Sequence, residues 1–375
     1  MIRVLQVVDG LGWGGTKEQT YLITRELSLR GIEVHVALSF QYELMVRKLR
    51  EYPVKLHFFE NHNRLSRLNL ANYYRLWKIL KEEEFDIVIA NSPHALDFVR
   101  LSLLFLRKKP KVIAYKRTGK GSSQVSKLLK YSVADRIVVV DRTTLEKLRR
   151  EGFFPERLVY IPSGLDLQRF RPVEKEKALE KRKELGIPPD WKVFINVANW
   201  NPEHKGQPLL IEAFSRLNCR DCILLLVGLQ TDDYAPEYAK RYGLEGRLLG
   251  LGFREDVPEL INMADFFVFS SYFEGVAGAV LQAMACGKLV ISTLAGGIAD
   301  YVKDGENALA VPVGDLHGLV QKMRRALGLS KEECESISRR AIETAREYSI
   351  EKTVDMYIEL FRELLGISSA HQSSP

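Results

Sequence analysis

The sequence predicts an α/β protein made of two parallel-sheet halves. Three observations lead there: short apolar runs alternate with amphipathic segments, the alternation restarts after Pro172, and a proline-bounded linker, Pro162 to Pro172 (PSGLDLQRFRP), divides the two series. Strands that alternate with helices form parallel sheets covered by those helices. A chain of 375 residues, 46% of them hydrophobic, can bury a core in each half.

In the first half, Arg3 to Val8, Glu33 to Ser39, Val54 to Phe58, Asp86 to Ala90, Lys111 to Tyr115, Arg136 to Val140 and Leu158 to Ile161 read as short buried strands. Most are β-branched or otherwise apolar runs. Leu68 to Lys81 reads as an amphipathic helix with Leu68, Tyr73, Leu76, Ile79 and Leu80 broadly on one side. Val193 to Ala198, Ile223 to Val227, Arg247 to Leu249, Phe266 to Phe269, Leu289 to Ser292 and Ala308 to Val311 repeat the strand pattern in the second half. Ligands of such sheets sit beyond the carboxyl ends of the strands, so chemistry is expected in the loops that follow them.

Charge divides unevenly between the halves. Residues 1–172 carry 31 Lys and Arg against 18 Asp and Glu, a net +13, while the remainder carries 24 against 30, a net −6. A basic half implies an anionic partner, and nucleic acid, a phosphorylated acceptor and an anionic membrane surface all fit. No apolar run reaches the ~18 residues of a membrane span, and the opening MIRVLQVVDG meets Asp9 too early for a secretory leader. A cytoplasmic protein is expected. Cys219, Cys222, Cys286 and Cys334 suggest no disulfide framework, and the Cys219–Cys222 pair lacks the second ligand pair of a structural zinc site.

Ser271 to Thr293, SYFEGVAGAVLQAMACGKLVIST, is the most informative stretch. Glu274 lies in a loop after an apolar strand, Gly275 and Gly278 follow, and a small-residue helix ends at Gly287. Glycines admit a ligand to bare backbone, and the first N–H groups of a helix are donors without intrahelical partners. Such a loop can hold a phosphate beside a carboxylate that touches a sugar. Gln282 follows Glu274 by eight residues, about two helical turns, and so is expected on a similar side. In NVANWNPEHKGQPLLIEAF, Lys205 and Gly206 follow the first strand of the second half, where a lysine could neutralise a diphosphate.

This segment resembles the sugar-nucleotide site of the family 4 glycosyltransferases, retaining enzymes of the GT-B fold. The resemblance is dense from Val193 to Asp315 and looser before Val159. It implies two Rossmann-like domains facing a cleft: 1–165 on the acceptor side, joined by a C-terminal helix at about 350–366, and 166–349 on the donor side. The polar tail, 367–375, is expected to be disordered. Glu274 would face the donor sugar, Lys205 the leaving diphosphate, and the backbone of Gly275, Val276, Ala277 and Gly278 the phosphates. Family members usually carry glutamate where this chain has Gln282, and an arginine near Asn199 or Trp200. Gln282 would hold ribose hydroxyls through its amide. Gly296 and Gly297 would lie near the donor phosphate.

The resemblance extends to the first half. Gly10 to Gly15 (GLGWGG) satisfies GxGxxG literally, but the acidic residue that should close the second strand of a dinucleotide fold is absent, and Glu33 stands at the wrong end of that strand. The alternative is the family's glycine loop, with Gly14, Gly15 and Glu18. His94, in NSPHALDF, occupies a place where the family often has a histidine that contacts sugar or acceptor. Lys116, Arg117 and Lys120, in AYKRTGKGSS, could bind a phosphorylated or carboxylated acceptor. No DxD sequence occurs, so lysine and helix amides would have to stabilise the diphosphate without metal or another cofactor.

The expected function is retaining transfer of a sugar from a nucleotide diphosphate to a cell-surface glycan, lipopolysaccharide or other anionic or lipid-linked acceptor. Peripheral contact with the inner face of an anionic membrane is allowed, and no nucleic-acid partner is expected. Two rivals remain open: an NAD(P)-dependent oxidoreductase using the Gly10 to Gly15 loop, and a non-catalytic binding protein.

Overall fold

The computed structural model describes residues 1–116 and 124–367. The chain divides into two compact units, Met1–Gly164 together with the stretch from Ile350 onward, and Leu165–Ser349. Among the described residues, each unit contains one parallel sheet.

In unit 1 the strands are β1 (Arg3–Val7), β2 (Glu33–Ser39), β3 (Val54–Glu60), β4 (Ile87–Ala90), β5 (Lys111–Lys116), β6 (Arg136–Val139) and β7 (Leu158–Tyr160). They lie in the order β3-β2-β1-β4-β5-β6-β7, so the strand order reverses between β1 and β4. One face buries Leu5, Val7, Phe59, Leu76, Leu80, Val88, Phe98 and Ile137 beneath helices. The other carries a smaller cluster of Val36, Leu38, Tyr42, Met45 and Leu49. The amphipathic pattern expected over Leu68 to Lys81 forms a helix at Leu70–Glu83, preceded by a single 3-10 turn at Ser66–Leu68. Asn69 sets the start, because its side chain accepts from the Ala71 N–H at 3.0 Å. Leu68 therefore falls outside the helix and is 76% exposed instead of joining the core.

The last helix, Ile350–Leu365, packs in unit 1 against Gly15–Leu29. Gly164 allows this: a Cβ there would stand 2.7 Å from Ile350 Cα. Gln19 bridges to the same glycine, donating to its carbonyl at 2.6 Å and accepting from its N–H at 2.8 Å.

Unit 2 holds β8 (Lys192–Val197), β9 (Cys222–Val227), β10 (Leu248–Gly250), β11 (Phe266–Phe269), β12 (Leu289–Thr293) and β13 (Leu309–Val311). Their order is β10-β9-β8-β11-β12-β13, with the reversal between β8 and β11. Phe194, Leu210, Phe214, Leu224, Val268, Ile291 and Met323 fill its core.

Cys219 and Cys222 correct the reading that left the cysteines unpaired. They form a disulfide across the turn into β9, with Cα atoms 5.5 Å apart, while Cys286 and Cys334 are free. The turn at Arg220 and Asp221 brings the two cysteines, three residues apart, into bonding range.

Candidate active site

The reversal of strand order in unit 2 puts the ends of β8 and β11 side by side, and the loops leaving them carry Lys205 and Glu274. After β8, Asn201 caps a short helical turn, Pro202–Lys205, by accepting from the His204 N–H at 3.3 Å. Gly206, at φ 64°, then turns the chain into the helix Gln207–Ser215. Its Cβ position lies 2.3 Å from the Ser270 carbonyl oxygen, so only glycine lets the two loops pass this closely. The Ser270 hydroxyl ties the loops together by donating to the carbonyls of Lys205 (3.1 Å) and Gly206 (3.0 Å). Tyr272 adds a backbone N–H to the His204 carbonyl at 2.8 Å.

Lys205 is consequently aimed at Glu274, with Nζ 2.6 Å from Oε1. The carboxylate is the more enclosed partner, with 9% of its side chain exposed against 28% for the lysine. Lys205 also lies over the Phe269 ring, 5.6 Å from its centroid. A cation over an apolar floor, beside a nearly buried carboxylate, can meet an anion on one side and hydroxyl groups on the other.

Gly275 to Gly278 continue from Glu274 into the helix Gly278–Ala285. Ala277 adopts φ 53°, and Val276 and Ala277 are buried. Tyr301, buried, donates its hydroxyl to the Val276 carbonyl at 2.7 Å. Burial and the charge of Glu274 push its phenol far above its ordinary pKa, so it remains a donor. Gly278 is exposed, with nothing within 4 Å of its Cβ position. The helix begins at Gly278, so the two-turn argument that aligned Glu274 with Gln282 does not apply. Lys205 orients Glu274 instead, while Gln282 lies half-buried on the helix itself. Gly296 closes the other side, its Cβ position 2.0 Å from the Glu274 carbonyl oxygen.

Asn199 does not sit free over this loop: its side-chain oxygen accepts from the Leu229 N–H at 3.0 Å, pinning the end of β8 to that of β9. Trp200 stacks on Tyr234 at 5.1 Å. Sequence reasoning missed Ser270 and Tyr301. The buried serine pair at the end of FFVFSS was a usable signal for the first, and nothing local marks the second.

In unit 1 the glycine loop follows β1 at the corresponding reversal. Gly14 caps the helix Gly15–Leu29, and the Gly10 N–H donates to buried Glu60 at 2.7 Å. Glu33 is engaged with Arg3 at 3.1 Å, so the dinucleotide reading gains no acidic ribose ligand from it. Glu18 accepts from the Trp13 indole at 2.8 Å. His94 is exposed in the first turn of Pro93–Ser102, where the Ser92 hydroxyl accepts from its N–H, and its Nδ1 lies 3.2 Å from an Arg67 nitrogen. Arg67 was not singled out from the sequence. Lys116 is 7% exposed at the end of β5, its ammonium 5.9 Å from the Tyr131 ring centroid, which places it poorly for an outside acceptor. Arg117 and Lys120 lie outside the described residues. Among the described residues, no helix is long and apolar enough to cross a membrane.

Known proteins resemble this chain in sequence and in fold. Residues 177–344 match the family model described as Glycosyl transferases group 1, and residues 13–169 match that described as Glycosyltransferase Family 4. The chain is 27% identical over 362 residues to EpsD of Bacillus subtilis (strain 168), which is assigned only provisionally to the glycosyltransferases; the match covers 92% of each chain. It is 25% identical over 315 residues to the UDP-Gal:alpha-D-GlcNAc-diphosphoundecaprenol alpha-1,3-galactosyltransferase of Escherichia coli, covering 78% of this chain and 80% of that one. The fold matches that of Anabaena HepE, solved with UDP and glucose, at a TM-score of 0.84 and 21% identity, covering 97% of this chain and all of that one.

Proposed function

We propose that this chain, which belongs to the family 4 glycosyltransferases of GT-B fold, uses a nucleotide diphosphate sugar as donor and transfers the sugar with retention of configuration. The observation that carries this reading is the Lys205–Glu274 pair at the strand-order reversal of unit 2, next to exposed Gly278. Lys205 and the backbone from Gly275 to Gly278 receive the diphosphate, Glu274 holds sugar hydroxyls, and Gln282 holds the ribose. The bond from the anomeric carbon to the phosphate oxygen breaks, and the leaving oxygen carries the electron pair away. The acceptor oxygen attacks the same face of the oxocarbenium-like sugar and passes its proton to the departing phosphate. Lysine and backbone amides suffice for that charge, so this reading needs no divalent ion at the reacting phosphate. HepE, solved with UDP, supports a nucleotide donor.

The reading assigns His94 to the sugar or acceptor and the backbone of Gly14 and Gly15 to the donor, and Arg67 is added here for its contact with His94. Arg117 and Lys120 stay as proposed acceptor ligands. The net +13 over residues 1–172 supports an anionic or lipid-linked acceptor at a membrane surface, as does the diphospholipid in the name of the Escherichia coli relative. Exposed Leu68, Leu70, Tyr74 and Phe105 give this half apolar groups that could rest on lipid.

The test is a panel of labelled uridine, guanosine and adenosine diphosphate sugars offered with glycan and lipid-linked acceptors. Transfer with the donor's anomeric configuration kept in the product is expected. An inverted product would overturn the retaining mechanism, and no transfer or hydrolysis across the panel would favour a binding protein.

A further inference from the structure

On β2 and β3 of unit 1 lies a second constellation, which shares no residue with the proposed donor and acceptor sites. His35 lies on β2 and His57 on the neighbouring strand β3, whose register sets His57 opposite Ala37. Both rings lie on one face of the sheet, nearly parallel, with centroids 5.0 Å apart and an interplanar angle of 19°. Phe85 closes edge-on against His35 at 4.9 Å. Nδ1 of His35 is 2.8 Å from Nε2 of His57. Glu83, the last residue of the helix Leu70–Glu83, brings a carboxylate oxygen to 4.0 Å from the same Nδ1. One ligand atom from each of these three residues falls within 4.8 Å of the others.

Glu33 makes this more than a cluster. Its carboxylate lies 3.1 Å from Nε2 of fully buried His35. Holding the proton on Nε2 leaves the lone pair of Nδ1 directed at His57 and Glu83, the carboxylate–histidine arrangement that usually supports a metal-bound imidazole. Arg3 bonds both Glu33 (3.1 Å) and Glu83 (2.9 Å), which orients both acids, and exposed Lys55 lies 3.8 Å from Glu33. With that tautomer of His35, His57 Nε2 donates to His35 Nδ1, and moving that proton to its own Nδ1 frees Nε2 as a second imidazole donor. With metal–nitrogen and metal–oxygen bonds of about 2.0–2.2 Å, tetrahedral ligand atoms stand roughly 3.3 Å apart. The observed 2.8 and 4.0 Å bracket that value.

We infer that His35 Nδ1, His57 Nε2 and the Glu83 carboxylate form a site for a divalent transition cation of the zinc class. Two imidazoles and one carboxylate suit zinc, cobalt or nickel better than magnesium or calcium, which prefer oxygen shells. Bound there, the cation joins β2, β3 and the end of the helix Leu70–Glu83, so its role is structural. The inference is independent of the sugar-transfer reading.

The experiment uses the full chain without a histidine tag, stripped with chelator, and titrates it with Co²⁺ by visible absorption and with Zn²⁺ by calorimetry. One equivalent is expected to bind, with a cobalt spectrum of low coordination number and a rise in Tm on zinc addition. Glu83→Gln and His57→Gln should each weaken binding at least about tenfold, and Glu33→Gln should weaken it by a similar factor through loss of orientation. The Tm of each stripped variant reports whether it folds, and Glu83→Gln alone decides if His57→Gln does not. Absence of one-equivalent binding up to about 100 μM metal would overturn the site. So would equal binding by wild type and Glu83→Gln.

Discussion

Lys205 and Glu274 stand 69 residues apart in the chain, yet Nζ of the lysine donates to Oε1 of the glutamate at 2.6 Å. Each group therefore holds the other in place before any ligand arrives. The pair also couples two roles assigned separately from the sequence, because a diphosphate that draws Lys205 outward must share it with a carboxylate only 9% exposed. Removing the lysine leaves that carboxylate without its ion partner, so Lys205→Ala disturbs donor binding and the orientation of Glu274 together.

Two glycines in the site separate folding from ligand access. Gly206 has φ 64° and a Cβ position 2.3 Å from the Ser270 carbonyl oxygen, so Gly206→Ala should cost about 3 kcal/mol of stability. Gly278 has open space around its Cβ position, so Gly278→Ala should change stability by less than about 1 kcal/mol while weakening the donor, because its methyl stands where phosphate would approach. Denaturant unfolding and donor KM, measured on both, check this. A Gly278→Ala enzyme with unchanged KM would remove that backbone from the donor site.

Much of this architecture was legible in the sequence, for a physical reason. Phe266 to Phe269 and Val193 to Ile195 are buried on both faces, so their apolar runs stand out, and the strand-plus-loop spacing brought Lys205 and Glu274 into view. Leu68 was misplaced because apolar periodicity does not register the stop imposed by Asn69, whose side chain starts the helix one residue later. The expectation that Gln282 projects from a similar side to Glu274 loses its basis, because an eight-residue spacing indicates shared direction only inside one helix, and the helix begins at Gly278. Tyr301 could not be found at all: its partner, the Val276 carbonyl, is a backbone atom 25 residues earlier. The Cys219–Cys222 pairing was missed because spacing does not reveal the turn that joins them.

Glu274 and Gln282 should separate kinetically. Glu274→Gln keeps shape but removes charge beside the reacting sugar and releases Lys205, so kcat should fall more than KM rises. Gln282→Glu should chiefly change donor KM, tightening it several-fold, since a charged acceptor strengthens a hydroxyl hydrogen bond by roughly 1 kcal/mol. Steady-state kinetics on a confirmed donor read both. Equal and negligible effects would mean that this loop is not the sugar site.

Asp256 offers a pH test away from the site. Hydrogen bonds from Arg254, at 2.7 and 2.6 Å, and then from Lys181, hold its carboxyl well below the ordinary 3.8, against a desolvation cost. A folded pKa below the unfolded one gives stability that is present above about pH 4 and lost as pH falls through the folded value. Its side chain is 26% exposed and the pair is partly screened by solvent, so Asp256→Asn should cost only about 1 kcal/mol at pH 7. Unfolding curves at pH 7 and pH 3 should show the wild-type advantage shrinking with acid. An advantage that grows on acidification would contradict the assignment.

The net +13 of residues 1–172 should show itself in salt dependence. Sedimentation with anionic vesicles should be strong at low ionic strength and fall steeply toward physiological salt, where the Debye length is about 8 Å. Phe105→Ser, which removes an apolar group 81% exposed, should weaken it further. No vesicle binding at low salt would leave a soluble anionic acceptor as the better partner.

The central claim is that unit 2 receives a nucleotide diphosphate at Lys205. Calorimetric titration of uridine, guanosine and adenosine diphosphate into the wild-type chain and Lys205→Ala tests it most directly. One of the three should bind the wild type in the micromolar range, and Lys205→Ala should weaken it at least tenfold, with transfer falling about 100-fold, or roughly 3 kcal/mol. Equal affinity of wild type and Lys205→Ala for every nucleoside diphosphate, or binding of none, would contradict the claim.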